Sequence, residues 1–156
     1  MNDDLRELYQ EVIIEHSQNP RHFGSLDHPT QMAQGHNPLC GDALTLYVQC
    51  ENNKIANIAF KGHGCAISVA SASLLTDTVL GKTIEDALQL FKRFHDCITT
   101  DCTQPIDAES LDKLQVLMGV REFPMRVKCA TLAWHTLEHA LHQDKHVAST
   151  EGEDII

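Results

Sequence analysis

The sequence predicts an α+β fold: a small antiparallel sheet of about three strands packed against four to five helices. Two observations carry this. Between positions 44 and 60 side chains alternate in polarity with the two-residue period of half-buried strands. Beyond position 66 apolar residues recur at helical spacing, and the helical segments follow one another instead of alternating with strands. At 156 residues the chain can bury a core without disulfide or metal staples. It reads as one domain over residues 1–143 with a polar tail over 144–156 that is expected to fray.

The first helix runs from Asp3 to His16, with Leu5, Leu8, Tyr9, Val12 and Ile13 on one face, and stops before the turn signal Asn19-Pro20. A further strand near Met32–Gly35 or helical cover is expected, because a lone hairpin is only marginally stable. Leu44, Leu46, Val48 and Cys50 share the inner face of the next strand. Asn52-Asn53 suits a tight turn, since asparagine tolerates positive φ. The return strand, Ile55 to Lys61, turns Ala56, Ile58 and Phe60 to one side. From Ala66 a helix carries Ile67, Ala70 and Leu74 and is stopped by Gly81. Thr83 to Asp86 resembles a capping box and starts a helix with Ala87, Leu88 and Phe91. A loop is expected from Cys97 to Pro105. Asp107 then caps a short helix with Leu111, Leu114 and Met118, ended by Gly119. Pro124 fits the first turn of a last long helix holding Leu132, Ala133, Leu137, Ala140 and Leu141.

Lys and Arg number 12 against 22 Asp and Glu, a net charge of −10. That balance repels phosphate backbones and anionic lipid, so no nucleic acid and no membrane surface is expected as a partner. Neither a secretion signal nor a membrane-length apolar run is evident, and the expected location is cytoplasmic. In a reducing compartment the six cysteines read as metal-binding, reactive or buried before they read as disulfides. No C-x-x-C pair occurs, which removes zinc-ribbon and thioredoxin readings.

Three cysteines lie at or near element ends. Cys40 is in the turn before the strand at Leu44, Cys65 is where a strand gives way to a helix, and Cys129 is in the second turn of the last helix. The free N–H groups of a helix start favour an anionic sulfur at Cys65, and glycines on either side of His63 allow close backbone approach to a ligand. If the three sulfurs converge, they and Asp42 make four ligands of the kind tetrahedral zinc accepts. Four anionic ligands on a divalent cation leave an excess of negative charge, which Lys61, Arg126 and Lys128 flank in sequence. Spacing alone does not establish convergence, and each thiol could equally be a small buried hydrophobe. Cys50, at an inward strand position, reads that way. Cys97 and Cys102 share a loop at C-x4-C without further evident ligands. His135, His139, His142 and His146 form one stripe of the last helix, read as a solvated face; the spacing is not that of a zinc protease. His63 could hydrogen-bond to a ligand.

Four segments, in order, resemble the U-type iron–sulfur cluster assembly proteins, a family comprising IscU scaffolds, the amino-terminal domain of NifU, and SufU. They are Asn19-Pro20-Arg21-His22-Phe23-Gly24; Asn37-Pro38-Leu39-Cys40-Gly41-Asp42; Gly62-His63-Gly64-Cys65-Ala66-Ile67-Ser68 with Ala70-Ser71-Ala72-Ser73; and Arg126-Val127-Lys128-Cys129. The resemblance runs from about residue 5 to residue 143. Lys128 stands where IscU-type scaffolds have a histidine, and the stretch from Cys97 through Leu111 is longer than theirs. Both features are similar to SufU.

The resemblance implies Zn2+ held by Cys40, Asp42, Cys65 and Cys129, and sulfur accepted as a persulfide on Cys40 from a cysteine desulfurase. Lys128 would offset charge or steady the persulfide. Downstream scaffold or acceptor proteins would receive the sulfur. This leaves open a sulfurtransferase-type relay or a non-enzymatic scaffold on which iron or a [2Fe–2S] cluster is assembled. A purely structural zinc module is a third alternative, and a zinc deaminase is excluded by the lack of H-x-E and P-C-x-x-C.

Overall fold

The computed structural model describes residues 3–142 and 148–149. Its architecture is α+β. Strands β1 (Gln31–Asn37), β2 (Asp42–Glu51) and β3 (Lys54–His63) form an antiparallel meander, and helices α1 (Asp3–Gln18), α2 (Ala66–Val79), α3 (Ile84–Ile98) and α4 (Pro124–Leu141) pack with a 3-10 segment (Ala108–Glu122). Of the polar tail, Ala148–Ser149 (β4) are described; they pair in parallel with Gly35 and His36 at the β1 edge. The rest of the tail lies outside the described residues.

The β2–β3 turn has positive φ at both Asn52 and Asn53, the signature of a type I′ hairpin whose twist matches its strands. The register shifts between Gln49 and Cys50, so that Gln49 faces Asn57 and Cys50 faces Ile55. This bulge corrects the expected inner face of β3. One extra residue in the bulged strand flips its side-chain order: Ile55, fully buried, takes the inward place expected of Ala56, which is exposed, and Ile58 and Phe60 follow it inward.

Helix α4 covers the inner face of β1 and β2, and α2 lies between α1 and α4. The run Ala70-Ser71-Ala72-Ser73 is buried on all sides, and such small residues let neighbouring backbones come close. Ser71 Oγ donates to the Ala130 carbonyl of α4 at 2.5 Å, and Ser73 Oγ accepts the Arg21 N–H at 2.8 Å and meets His16 Nδ1 at 2.7 Å. Helix α1 therefore runs on to Gln18, and His16 is buried with Ile13, whereas Leu5 and Leu8 of the expected apolar face stay exposed.

Helix α3 is capped by the Thr83 hydroxyl, which accepts the Asp86 N–H at 3.0 Å. It reaches Ile98, so Cys97 lies in the helix and not in the loop after it. Asp107 makes no side-chain cap, and the segment beyond it winds as a 3-10 helix broken at Asp112 (φ 52°) and continuing past Gly119 to Glu122. Trp134 centres the helical layer, its ring 5.0 Å from Phe94 and 6.3 Å from Phe91, both stacked.

The histidine stripe of α4 is not a solvated face. His139 is 2% exposed, and His135 is half-buried with its ring 5.3 Å from Phe91 and 5.5 Å from His95; His142 is exposed and His146 lies outside the described residues. Burial, and then His95 and His139, pull His135 down to about 4. A base held below its unfolded value of about 6.5 makes the unfolded state the stronger proton binder, so stability falls as pH drops from about 6.5 towards 4.

Two outcomes follow. His135→Gln should remove part of that acid loss, up to about 3 kcal/mol of pH-dependent stability, seen as a flatter stability profile in urea melts between pH 7 and 4. An unaltered profile would refute the origin assigned to it. Trp134→Ala should cost about 3–5 kcal/mol in denaturation followed by circular dichroism; a loss under 1 kcal/mol would show that the ring is not central to the packing.

Candidate metal centre

The last rung of the β1–β2 ladder pairs Asn37 with Asp42, and the chain between them turns through Pro38, Leu39, Cys40 and Gly41. Gly41 has φ +72° and donates its N–H to the Asn37 carbonyl at 2.9 Å, closing the turn. Asp42, which is fully buried, points its carboxylate at the start of α2: Oδ1 accepts the Cys65 N–H at 2.9 Å, and Oδ2 lies 4.0 Å from the Cys65 sulfur. Gly64 makes room for this, since a Cβ built there would run into that carboxylate. Cys65 itself is the N-cap of α2.

From the opposite side α4 brings Cys129, fully buried, whose Sγ lies 3.4 Å from Cys40 Sγ. The Asn37 amide faces the same sulfur at 3.8 Å. Ligand atoms of Cys40, Asp42 and Cys129 all lie within 4.8 Å of one another. Cys65 stands just outside that set and joins it through the shared Asp42 carboxylate. Three sulfurs spread over 90 positions of the sequence thus meet around one oxygen donor. Burial, followed by contact with Cys40 and Asp42, pushes the Cys129 thiol far up.

Arg126, one of the three cations flanking these positions in sequence, lines a cleft with Ile67 and Phe123. Its guanidinium is raised above its ordinary value by the charge of Cys65 and by hydrogen bonding to Cys129 and Cys65. Lys128 is half-buried on α4, and Lys61 and His63 are exposed on β3. Cys50 is half-buried, its Sγ 3.2 Å from Gln31 Oε1, with burial raising its thiol. Cys97 is half-buried and Cys102 exposed. An apolar cleft of about 170 Å3 is lined by Tyr9, Ile13, Ile67, Val120, Phe123 and Arg126. Asn37 had no assigned role in the sequence; a polar side chain at the end of a strand with a buried face is the signal that could have marked it.

Residues 8–130 match the family model described as the NifU-like N-terminal domain. The chain belongs to this family. An iron–sulfur cluster assembly scaffold protein IscU of Streptococcus pyogenes is 39% identical over 151 residues, 97% of this chain and 93% of that protein. A zinc-dependent sulfurtransferase SufU of Bacillus subtilis is also 39% identical over 151 residues, 97% of each chain. The crystal structure of a putative iron–sulfur cluster assembly scaffold protein for the SUF system from Fervidobacterium islandicum is similar at a TM-score of 0.79 and 34% identity, covering 90% of this chain and 99% of that one. Among the described residues of this NifU-like domain, no helix is long and apolar enough to cross a membrane.

The donor set suits a thiophilic divalent ion: soft sulfurs beside one hard oxygen, in a partly dry site with a cation at its edge. Gly64→Ala should displace the Asp42 carboxylate and weaken affinity for added Zn2+ by about tenfold or more, measured by competition with a chromophoric chelator. Unchanged affinity would show that the carboxylate seat is not needed.

Proposed function

We propose that the protein is a SufU-like sulfur acceptor of iron–sulfur cluster assembly, taking persulfide sulfur from a cysteine desulfurase and passing it to downstream scaffold or acceptor proteins. The observation that carries this reading is the meeting of Cys40, Asp42 and Cys129 within 4.8 Å, with Cys65 against the same carboxylate. The Bacillus subtilis relative, named a zinc-dependent sulfurtransferase, supports it.

In this reading Cys40, Asp42, Cys65 and Cys129 would hold Zn2+, which would supply the positive charge that keeps buried thiols deprotonated. Cys40 is the acceptor. It lies on a turn, whereas Cys65 caps α2 and Cys129 is inside α4, so moving it disturbs no helix. A partner offering a ligand in its place frees its thiolate. That thiolate attacks the outer sulfur of the desulfurase persulfide; the bond between the two donor sulfurs breaks, the donor cysteine leaves as thiolate, and Cys40 carries the persulfide with no net oxidation. Asp42, a hard and weak ligand for zinc, makes the set labile. Lys128 adds positive charge next to Cys129 in the chain.

A scaffold reading, with a [2Fe–2S] cluster as cargo, is supported by the Streptococcus pyogenes relative and is separated by the optical spectrum after anaerobic reconstitution with iron and sulfide. A structural zinc module predicts loss of fold on zinc removal and no sulfur transfer.

With desulfurase and cysteine present, the wild-type chain should acquire one trapped persulfide, and Cys40→Ser should acquire none. Transfer retained in Cys40→Ser overturns the assignment. Lys128→Ala should slow transfer severalfold, and an unchanged rate would remove Lys128 from the chemistry.

A further inference from the structure

On the face of the sheet turned away from α4, Gln34, His36, Lys61 and His63 are exposed. The register sets them in two rows across the strands: His36, Ala43 and His63, then Gln34, Thr45 and Lys61. Ala43 and Thr45, the short side chains of the middle strand, floor a groove of about 340 Å3 between the outer two. Its lining holds a cation and two imidazoles and no carboxylate. None of the 22 Asp and Glu residues falls within 32–36, 43–49 or 57–63. Among the described residues Lys61 enters no ion pair.

Beside this groove β4 runs parallel to β1, and its pairing ends with Ser149 next to His36. The seven residues that follow, outside the described ones, read Thr150-Glu151-Gly152-Glu153-Asp154-Ile155-Ile156 and hold three carboxylates. We propose that residues 150–154 cross the outer face of the sheet as a strap and seat their carboxylates in the groove, on His36, His63 and Lys61. The span fits. Three strand spacings from β4 to β3 make about 14 Å, and five extended residues cover about 17 Å. Glu151, two residues past Ser149, then reaches the row of His36, while Glu153 and Asp154 reach His63 and Lys61.

The chemistry is complementary. Lys61 supplies a charge and three donors, and each imidazole supplies at least one N–H. A chain of net charge −10 repels an acidic segment over most of its surface. A carboxylate-free strip beside the segment's point of departure is therefore its favoured seat. The groove ends at Ala43 and His63, whose neighbours in the chain are Asp42 and Gly64, so the strap borders the metal centre. An acidic segment of a docking partner meets the same groups and has to displace it. The strap is independent of which ion the centre holds.

Zero-length carbodiimide coupling tests this on the full chain, with equal parts of isotope-labelled and unlabelled protein and peptide mass spectrometry. At low salt Glu151, Glu153 or Asp154 should couple within one copy to Lys61. The yield should be about tenfold above that to Lys54, which is exposed at the other end of β3. Salt at about 0.5 M should cut the Lys61 yield severalfold, because exposed charges are screened. In the variant carrying Glu151→Gln, Glu153→Gln and Asp154→Asn, His36 should react with diethyl pyrocarbonate severalfold faster than in the wild type. Comparable coupling to Lys54 and Lys61, coupling mainly between labelled and unlabelled copies, or an unchanged His36 rate overturns the proposal.

Discussion

One buried carboxylate connects the fold to the centre. Asp42 is fully buried, and a carboxylate out of water must be hydrogen-bonded or it costs several kcal/mol. Its Oδ1 takes the Cys65 N–H at 2.9 Å, one of the free donors every helix start leaves open. That bond extends the β2–β3 pairing, which ends at Ala43 and His63, to the start of α2 and fixes where Cys40 and Cys65 stand relative to each other. On the partner strand Asn37 is equally buried and turns its amide towards Cys129. The final rung of one hairpin thus sends a polar side chain to each of the two helices that carry the remaining sulfurs. Gly64 is the condition for this, since any larger residue would occupy the carboxylate's seat.

The third sulfur depends on packing far from the hairpin. Cys129 is aligned only because α4 lies close on α2, and that closeness follows from the alanine and serine run of α2. Ser71 Oγ bonded to the Ala130 carbonyl locks the two helices one residue from Cys129. Stacking of Trp134 between Phe94 and Phe91 then fixes the rotation of α4 about its axis. The supports of the three cysteines therefore differ in stiffness: a helix cap, a helix interior, and a short turn. A small displacement is cheapest where the fewest packed neighbours move with it, and of the three cysteines Cys40 is the one on a short turn.

The β2–β3 hairpin and the four principal helices were legible because period-two and period-3.6 patterns are written in consecutive residues; the pairing of Ala148–Ser149 with β1, against a tail expected to fray, was not. The Asn52-Asn53 turn and the Thr83 cap were legible for the same reason, being local chemistry. The β3 face was not, because Ala56 and Ile55 are both apolar and only the pairing partner decides which of them is the bulged residue. Nor was the reach of the 3-10 segment past Gly119, where tertiary contacts of Val120 override a weak helix breaker. His135 and His139 were misjudged because a polar ring packed on Phe91 and His95, as His135 is, looks in one dimension like one facing water. At the centre, the four candidate ligands came from motif and element position.

Equal identity to a relative named as a scaffold and to one named as a zinc-dependent sulfurtransferase means that overall similarity does not choose between the two chemistries, and donor types at single positions must. The position before Cys129 holds Lys128. A protonated lysine has three donors and no lone pair, so it cannot replace a departing ligand as a neutral histidine could. The chain's own donors are then three sulfurs and one oxygen, one sulfur short of the four thiolates an iron–sulfur cluster usually takes and within what zinc accepts. On the zinc-bound reading proposed above, a cysteine that leaves the centre opens a position that no further metal-binding group of His, Cys, Asp or Glu among the described residues is placed to fill. Dependence on a docking partner would then follow from the donor count itself.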